Sequence, residues 1–248
     1  MGALHAGHLA LVARARADSV AVAASVFVNP LQFAPDEDLA RYPRDPEGDR
    51  SKLAQAGVDV LFAPSPIAMY PPDFSTGIDV GPIAESYEGL IRPGHFRGVA
   101  TVVCKLLNVV HPDVLYLGQK DAQQTAVLRR VIRDLEIPTS VVIVPTERED
   151  DGLAMSSRNA YLSPEQRQAA PSLHHALQAV RLAMASGRSK ADAIAAARTR
   201  LHPLAQLDYL DVVDANTFAP IDSLMPPAFV IAAARFGTTR LLDNLWIE

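Results

Sequence analysis

The sequence predicts an α/β protein: a Rossmann-like, doubly wound parallel sheet followed by a smaller C-terminal α+β domain. Three observations carry this. From residue 9 to about 146, short β-branched runs alternate with longer helical stretches, the order of strands and crossover helices. The strand candidates are apolar almost throughout, as strands covered on both faces must be. After "VPTEREDDGLAMSSRNAYLSPEQ" the order changes to two helices and then strands, so the expected domains are residues 1–146 and 147–248.

Each element follows in order. "HLALVARARAD" reads as a helix, "SVAVAASVFV" as a strand, "DPEGDRSKLAQAG" as a helix and "VDVLFAP" as a strand. "GVATVVCKLLNVVH" is the next helix, then strand "DVLYLG", helix "DAQQTAVLRRVIRDLEI" and strand "TSVVIVPT". Between the second and third strands, "APSPIAMYPPDFSTG" to "GLIRPGHFRG" is rich in Pro, Gly and aromatic residues and too long for a plain connector. It predicts a structured loop or lid. In the second domain, "PSLHHALQAVRLAMASG" and "KADAIAAARTRLHPL" form an amphipathic helix pair, and "LDYLDVVDA", "FVIAAARFG" and part of "TRLLDNLWIE" are strands.

With 248 residues, 49% of them apolar, the chain is long enough to bury a sizeable core. Its formal charge of −5 comes with no basic stripe, which argues against nucleic acid as the main partner. Cys104 is the single cysteine and sits among apolar neighbours, the setting of a packed, inert thiol in a reducing compartment. No stretch approaches the roughly 18 apolar residues of a membrane span, and the start lacks signal-peptide order. The expected location is the cytoplasm, with no membrane partner.

Four constellations can carry chemistry. The chain opens "MGALHAGH", where His5 and His8 lie on one side of a helix's first turn and Gly7 lets a ligand approach the backbone. With the amides of that turn the motif suits polyphosphate; as a bare pattern it equally fits a pair of capping or exposed histidines. In "FVNPLQF", Asn29 and Gln32 follow a strand and offer two amides, either for a small polar substrate or for a turn's own backbone. In "LGQKDAQQ", Lys120 can reach phosphate oxygens, Asp121 can cap the helix or hold ribose hydroxyls, and Gln124 lies one turn further on. A lysine at a helix N-terminus opposes the macrodipole unless an anion is present. In "GLAMSSRN", two hydroxyls and a guanidinium form a compact donor cluster for pyrophosphate, or an ordinary surface loop. His174 and His175, adjacent on a helix, point apart and make a poor metal pair; His111 and His202, each before proline, read as structural.

Taken in order, "MGALHAGH", "FVNPLQF", "RPGHFRGVATVV", "GQKDAQQ", "DGLAMSSRN" and "TTRLLDN" resemble the pantothenate synthetase (pantoate–β-alanine ligase) family, of the H-x-G-H nucleotidyltransferase superfamily, along essentially the whole chain. The resemblance implies an AMP-forming ligase. Pantoate carboxylate attacks the α-phosphorus of ATP, giving pantoyl adenylate and pyrophosphate; β-alanine then attacks the acyl carbon, giving pantothenate and AMP. It implies ATP as substrate, Mg²⁺, a homodimer, a nucleotide- and pantoate-binding domain over 1–146 and a lid domain over 147–248.

Carried over by motif, His5, His8, Lys120 and Arg158 are the catalytic candidates, with His8 the proton donor. ATP is assigned Met1, Gly2, Ala3, Leu4, His5, Gly7, His8, Gly118, Gln119, Lys120, Asp121, Glu147, Met155, Ser156, Ser157 and Arg158. Gln32 and Gln124 are assigned pantoate, Gln32 also β-alanine, and Asp49 the metal; Arg92 and His95 match the family without a role. Three departures stand out. Family members carry further residues ahead of H-x-G-H, including a central first strand, so the sheet is expected to lack that strand and the start to be other than the natural one. Gln119 replaces a common glutamate, and Glu147 a usual aliphatic near adenine. The alternatives are another H-x-G-H nucleotidyltransferase, which would ignore β-alanine, and a truncated, non-catalytic nucleotide-binding protein.

Overall fold

The computed structural model describes residues 2–35 and 37–247. The chain folds as two compact units. One runs to Gly118 and resumes over Gln123–Val144; the other takes Gln119–Ala122 and everything from Pro145.

In the first unit α1 (Ala6–Asp18) leads into β1 (Ala23–Ser25), and α2 (Pro46–Gln55) crosses over to β2 (Val60–Phe62). The two strands pair in parallel, Ala23 opposite Val60 and Ser25 opposite Phe62. Asp45 caps α2 by accepting from Gly48 N, Pro46 opens the helix, and Glu47 and Asp49 sit in its first turn where the dipole favours anions. The predicted loop contains α3 (Pro66–Met69), a 3₁₀ turn at Gly81–Ala84 and α4 (Glu88–Ile91). Then come α5 (His95–Val110), β3 (Val114–Gly118), α6 (Ala122–Asp134) and β4 (Ser140–Val144), with β3 and β4 again parallel, Val114 opposite Ser140 through Gly118 opposite Val144.

The class is as predicted, with two differences of detail. The four parallel strands lie in two two-stranded sheets, β1 with β2 and β3 with β4, and not in one hydrogen-bonded ladder. The run "SVAVAASVFV" contributes only three strand residues. Its start is tied by side chains instead: Asp59 accepts from Val22 N at 2.7 Å, and the Arg16 guanidinium binds the carbonyls of Ser19 and Val20. The Val22 carbonyl in turn accepts from Asp59 N and Val60 N at the start of β2, so side-chain and backbone bonds together satisfy this stretch.

Small apolar clusters hold this unit together. Leu4, Val12, Ala24 and Leu53 form one; Ala100, Cys104 and Val131 form another. Cys104 is 5% exposed and burial pushes its thiol pKa up, in keeping with an inert packed side chain.

The second unit contains α7 (Pro164–Ala169), α8 (Ser172–Ala185), α9 (Lys190–Arg198) and the antiparallel sheet β5 (Ala205–Asp214), β6 (Ala228–Phe236), β7 (Thr239–Ile247), with β6 in the middle. β6 is buried along nearly its whole length, which explains its unbroken apolar sequence. Leu177 and Val180 of α8 pack with Val212, Val230 and Phe236, all fully buried. Ala193 and Ala197, with no exposure, face the same core from α9. The prediction missed α7, whose start is a Ser163/Gln166 capping box opened by Pro164. Among the described residues no helix is long and apolar enough to cross a membrane.

Candidate active site

The loop before α1 is held from α2. Asp49, 2% exposed, accepts from Ala3 N at 2.9 Å and Leu4 N at 2.6 Å, and Lys52 Nζ donates to Leu4 O at 2.9 Å. These bonds hold Ala3 at φ 51°, a left-handed conformation that costs a non-glycine residue energy. Both Asp49 carboxylate oxygens accept from backbone amides in a buried site, and among the described residues Asp49 belongs to no cluster of three His, Cys, Asp or Glu that could hold an ion.

His5 and His8 form a reciprocal cap on α1. His5 Nδ1 accepts from Gly7 N and His8 Nδ1 accepts from His5 N, each at 3.2 Å, and the rings lie 4.1 Å apart. Their spacing is that of a capping box, so the capping reading is the one the backbone realises. It also fixes the chemistry. A nitrogen that accepts a backbone hydrogen carries none itself, so both neutral rings bear their proton on Nε2. The expected supply of first-turn amides is reduced, since Gly7 N is bonded to His5 and His8 N to His5 O at 2.9 Å.

The Asn29–Gln32 turn follows the same logic. Asn29 is 2% exposed and works for the fold: its Oδ1 accepts from Leu31 N and from the Tyr70 hydroxyl at 2.7 Å, and its Nδ2 donates to Gly98 O at 3.1 Å. Burial raises the Tyr70 pKa to about 12, keeping the hydroxyl a donor. Gln32 is half-buried, and its Oε1 accepts from Asn29 Nδ2 at 3.4 Å. Its carbonyl is gripped by His95 Nδ1 at 2.9 Å and Arg92 Nη2 at 3.3 Å, while Arg92 forms a two-point pair with Glu37 at 2.6 and 2.9 Å. Arg92 and His95 thus acquire the role their motif lacked.

At the carboxyl end of β3, Gly118 has neither a left-handed φ nor a neighbour within 4 Å of where a Cβ would stand. Neither backbone nor packing requires glycine there, so the space is free for a ligand. On α6, Gln123 is 4% exposed and spends its amide on Glu88 N, Ile83 O and Ser86 O, while Gln124 is half-buried.

The second unit carries the other candidates. Lys120 Nζ lies 3.3 Å from Asp121 Oδ1, and Gln119 Nε2 donates to Asn244 Oδ1 at 3.2 Å. Glu147 is exposed, and its carbonyl accepts from Met155 N at 2.9 Å. A hairpin follows, bridged at Arg148 and Ala154, with Gly152 at φ 91° and Arg167 paired to both Asp151 and Glu149 at 2.5 Å. It delivers Met155 to the 3₁₀ turn Ser157–Tyr161, capped by Ser156, whose hydroxyl oxygen accepts from Arg158 N. Ser156, Ser157 and Arg158 are half-buried. A cleft of about 410 Å³ adjoins Met155 among Arg148, Asp151 and Arg167; a larger one, about 470 Å³, lies by Arg181, Leu224 and Trp246 and holds no candidate residue. Met1 lies outside the described residues.

Parallel α/β topology, with histidine, lysine and Ser-Ser-Arg donors at strand ends and helix starts, defines a class: α/β proteins that handle phosphate esters. The family follows from comparison. The family model for pantoate-beta-alanine ligase matches residues 1–246, and the chain belongs to that family. It is 51% identical over 251 residues to the pantothenate synthetase of Roseiflexus castenholzii, covering 100% of this chain and 90% of the relative. A crystal structure of the Thermus thermophilus pantothenate synthetase superposes with a TM-score of 0.96 at 53% identity, covering 99% of this chain and 90% of that one. The Francisella tularensis pantoate-beta-alanine ligase, complexed with beta-gamma ATP and beta-alanine, superposes at 0.81 with 34% identity, covering 99% and 87%.

Proposed function

We infer that the chain is an AMP-forming ligase that condenses pantoate with β-alanine at the expense of ATP, giving pantothenate, AMP and pyrophosphate through pantoyl adenylate. The observation that carries this is the family match along residues 1–246 together with relatives named for this activity, of which the match covers 90% and 87%.

In the first half-reaction a carboxylate oxygen bonds to the α-phosphorus as the bond to the pyrophosphate oxygen breaks. Charge on a triphosphate meeting a carboxylate demands donors aimed at phosphate. We assign this task to the Nε2–H groups of His5 and His8, to Lys120 and to Ser156, Ser157 and Arg158. The tautomer imposed on His8 by His5 N leaves its Nε2–H free to donate a hydrogen bond to a phosphate oxygen, and a proton transfer from His8 would first need the ring protonated. Ribose is assigned to Gly118 and Asp121, pantoate to Gln32 and Gln124, and the amine of β-alanine to the Gln32 side. The amine nitrogen then bonds to the acyl carbon and AMP leaves with the acyl oxygen bond's electrons. Mg²⁺ is proposed as the ion accompanying the ATP phosphates, with Asp49 the weaker candidate for organising it. Residues 1–146 are proposed to bind nucleotide and pantoate, and 147–248 to shield the acyl adenylate from water. The working form is proposed to be a cytoplasmic homodimer.

The test is pantoate-dependent exchange of labelled pyrophosphate into ATP without β-alanine. Exchange that needs pantoate supports the adenylation step; exchange that ignores pantoate, or none from a folded protein, overturns it.

A further inference from the structure

The motif "TTRLLDN" has no place in the site described above, yet it puts two polar residues, Asp243 and Asn244, inside the apolar strand β7 at 5% and 2% exposure. Buried polar groups at such positions need partners, and theirs are informative. Asn244 Nδ2 donates to Gln119 O at 3.0 Å and to Lys120 O at 2.8 Å, and its Oδ1 accepts from Gln119 Nε2 at 3.2 Å. One buried amide therefore satisfies the backbone of the turn that bears Lys120. Asp243 anchors the neighbouring segment: Arg148 binds it at two points, 2.7 and 2.8 Å, and also donates to Asn244 O at 3.1 Å and Gly152 O at 3.0 Å. Arg148 opens the hairpin that leads to Met155–Arg158. Two consecutive residues of β7 thus hold both donor segments of this unit.

We propose that Asn244 is a positioning residue for Lys120, acting through the Gln119–Lys120 backbone and not by touching substrate. This rests on the reading that Lys120 contacts the ATP phosphates. A lysine on a turn without this tether samples many placements, and misplacement by about 1 Å costs up to roughly 100-fold in rate.

The experiment is a double-mutant cycle on the full chain, read by pantoate-dependent pyrophosphate exchange and by KM for β-alanine, with melting curves for every variant. Lys120→Ala alone tests the underlying reading: undiminished exchange would sink the phosphate role whatever Asn244 does. Given a loss there, Asn244→Ala should lower exchange by about 30-fold in the wild-type background and by less than about 3-fold when Lys120 is already alanine, with KM for β-alanine unchanged. A merely structural defect would multiply the two losses, because fewer active molecules reduce every background equally. That multiplicative result overturns the proposal, as does full activity of Asn244→Ala. Should Asn244→Ala fail to fold, Gln119→Ala removes one bond of the tether without emptying a core position. It should show the same non-additivity with a smaller loss, about 3-fold, and multiplicative behaviour there would overturn the proposal.

Discussion

His95 makes the stability of the first unit depend on pH in a window where few other groups titrate. Arg92 only donates hydrogen bonds and the Gln32 carbonyl only accepts, so the contacts at Nε2 and Nδ1 define a neutral ring with its proton on Nδ1. Burial, and then the charge of Arg92, push the pKa from 6.5 down to about 4. The unfolded chain therefore binds the proton first, and stability is complete above the unfolded value and lost as pH falls from about 6.5 toward 4. The whole gap corresponds to about 3 kcal/mol, of which about 2 kcal/mol is lost between about pH 7.5 and pH 5. Urea unfolding followed by far-UV circular dichroism, on wild type and His95→Asn, measures it. Asparagine can keep the donation to Gln32 O and has no proton to gain, so its stability should fall by about 2 kcal/mol less over the window. Profiles that run parallel within about 0.5 kcal/mol would refute the assignment of a buried neutral ring.

Three further outcomes follow from the site. Asp49→Asn should cost about 1.5–3 kcal/mol in urea unfolding and lower pyrophosphate exchange, with the Mg²⁺ dependence at saturating ATP unchanged; a shifted Mg²⁺ dependence would establish Asp49 as a ligand. Gly118→Val should leave the melting temperature within about 2 °C and raise KM for ATP by about 10-fold or more, since the added group meets only the ligand's space; an unchanged KM would place the nucleotide elsewhere. Gly98→Ala puts a Cβ 2.1 Å from Leu31 O and 2.7 Å from Gln32 N, so the Gln32 turn must move. That should cost about 1–3 kcal/mol and raise KM for pantoate, and a silent Gly98→Ala would separate Gln32 from pantoate binding.

Period and composition made the elements legible where packing agrees with local pattern. "GVATVVCKLLNVVH" lies within α5 and its C-cap His111, and "FVIAAARFG" is almost entirely β6, because an element buried along one stripe or on both faces must carry that pattern. "SVAVAASVFV" reads as ten residues of strand and yields three, because Arg16 just before the run and Asp59, 37 residues from Val22, take backbone groups at its start. Asn29 and Gln32 look alike in "FVNPLQF", and only burial separates the scaffold amide of Asn29 from the half-buried Gln32 proposed for pantoate.

The sequence by itself determined the α/β class and the family, since those depend on local order and on motifs short enough to read along the chain. The tertiary structure decided what those residues can do. It set the proton on Nε2 of the neutral His5 and His8 rings, made Asp49 the anchor of Ala3 and Leu4, and gave Arg92 and His95 the carbonyl of Gln32 to hold. It also tied Lys120 to Asn244, 124 residues away. The physical reason in the long-range cases is that a buried hydrogen bond is chosen by which groups packing leaves without water, and pairs so far apart in the chain leave no periodic trace in it; the His5–His8 cap, by contrast, is local and its spacing is visible in the sequence.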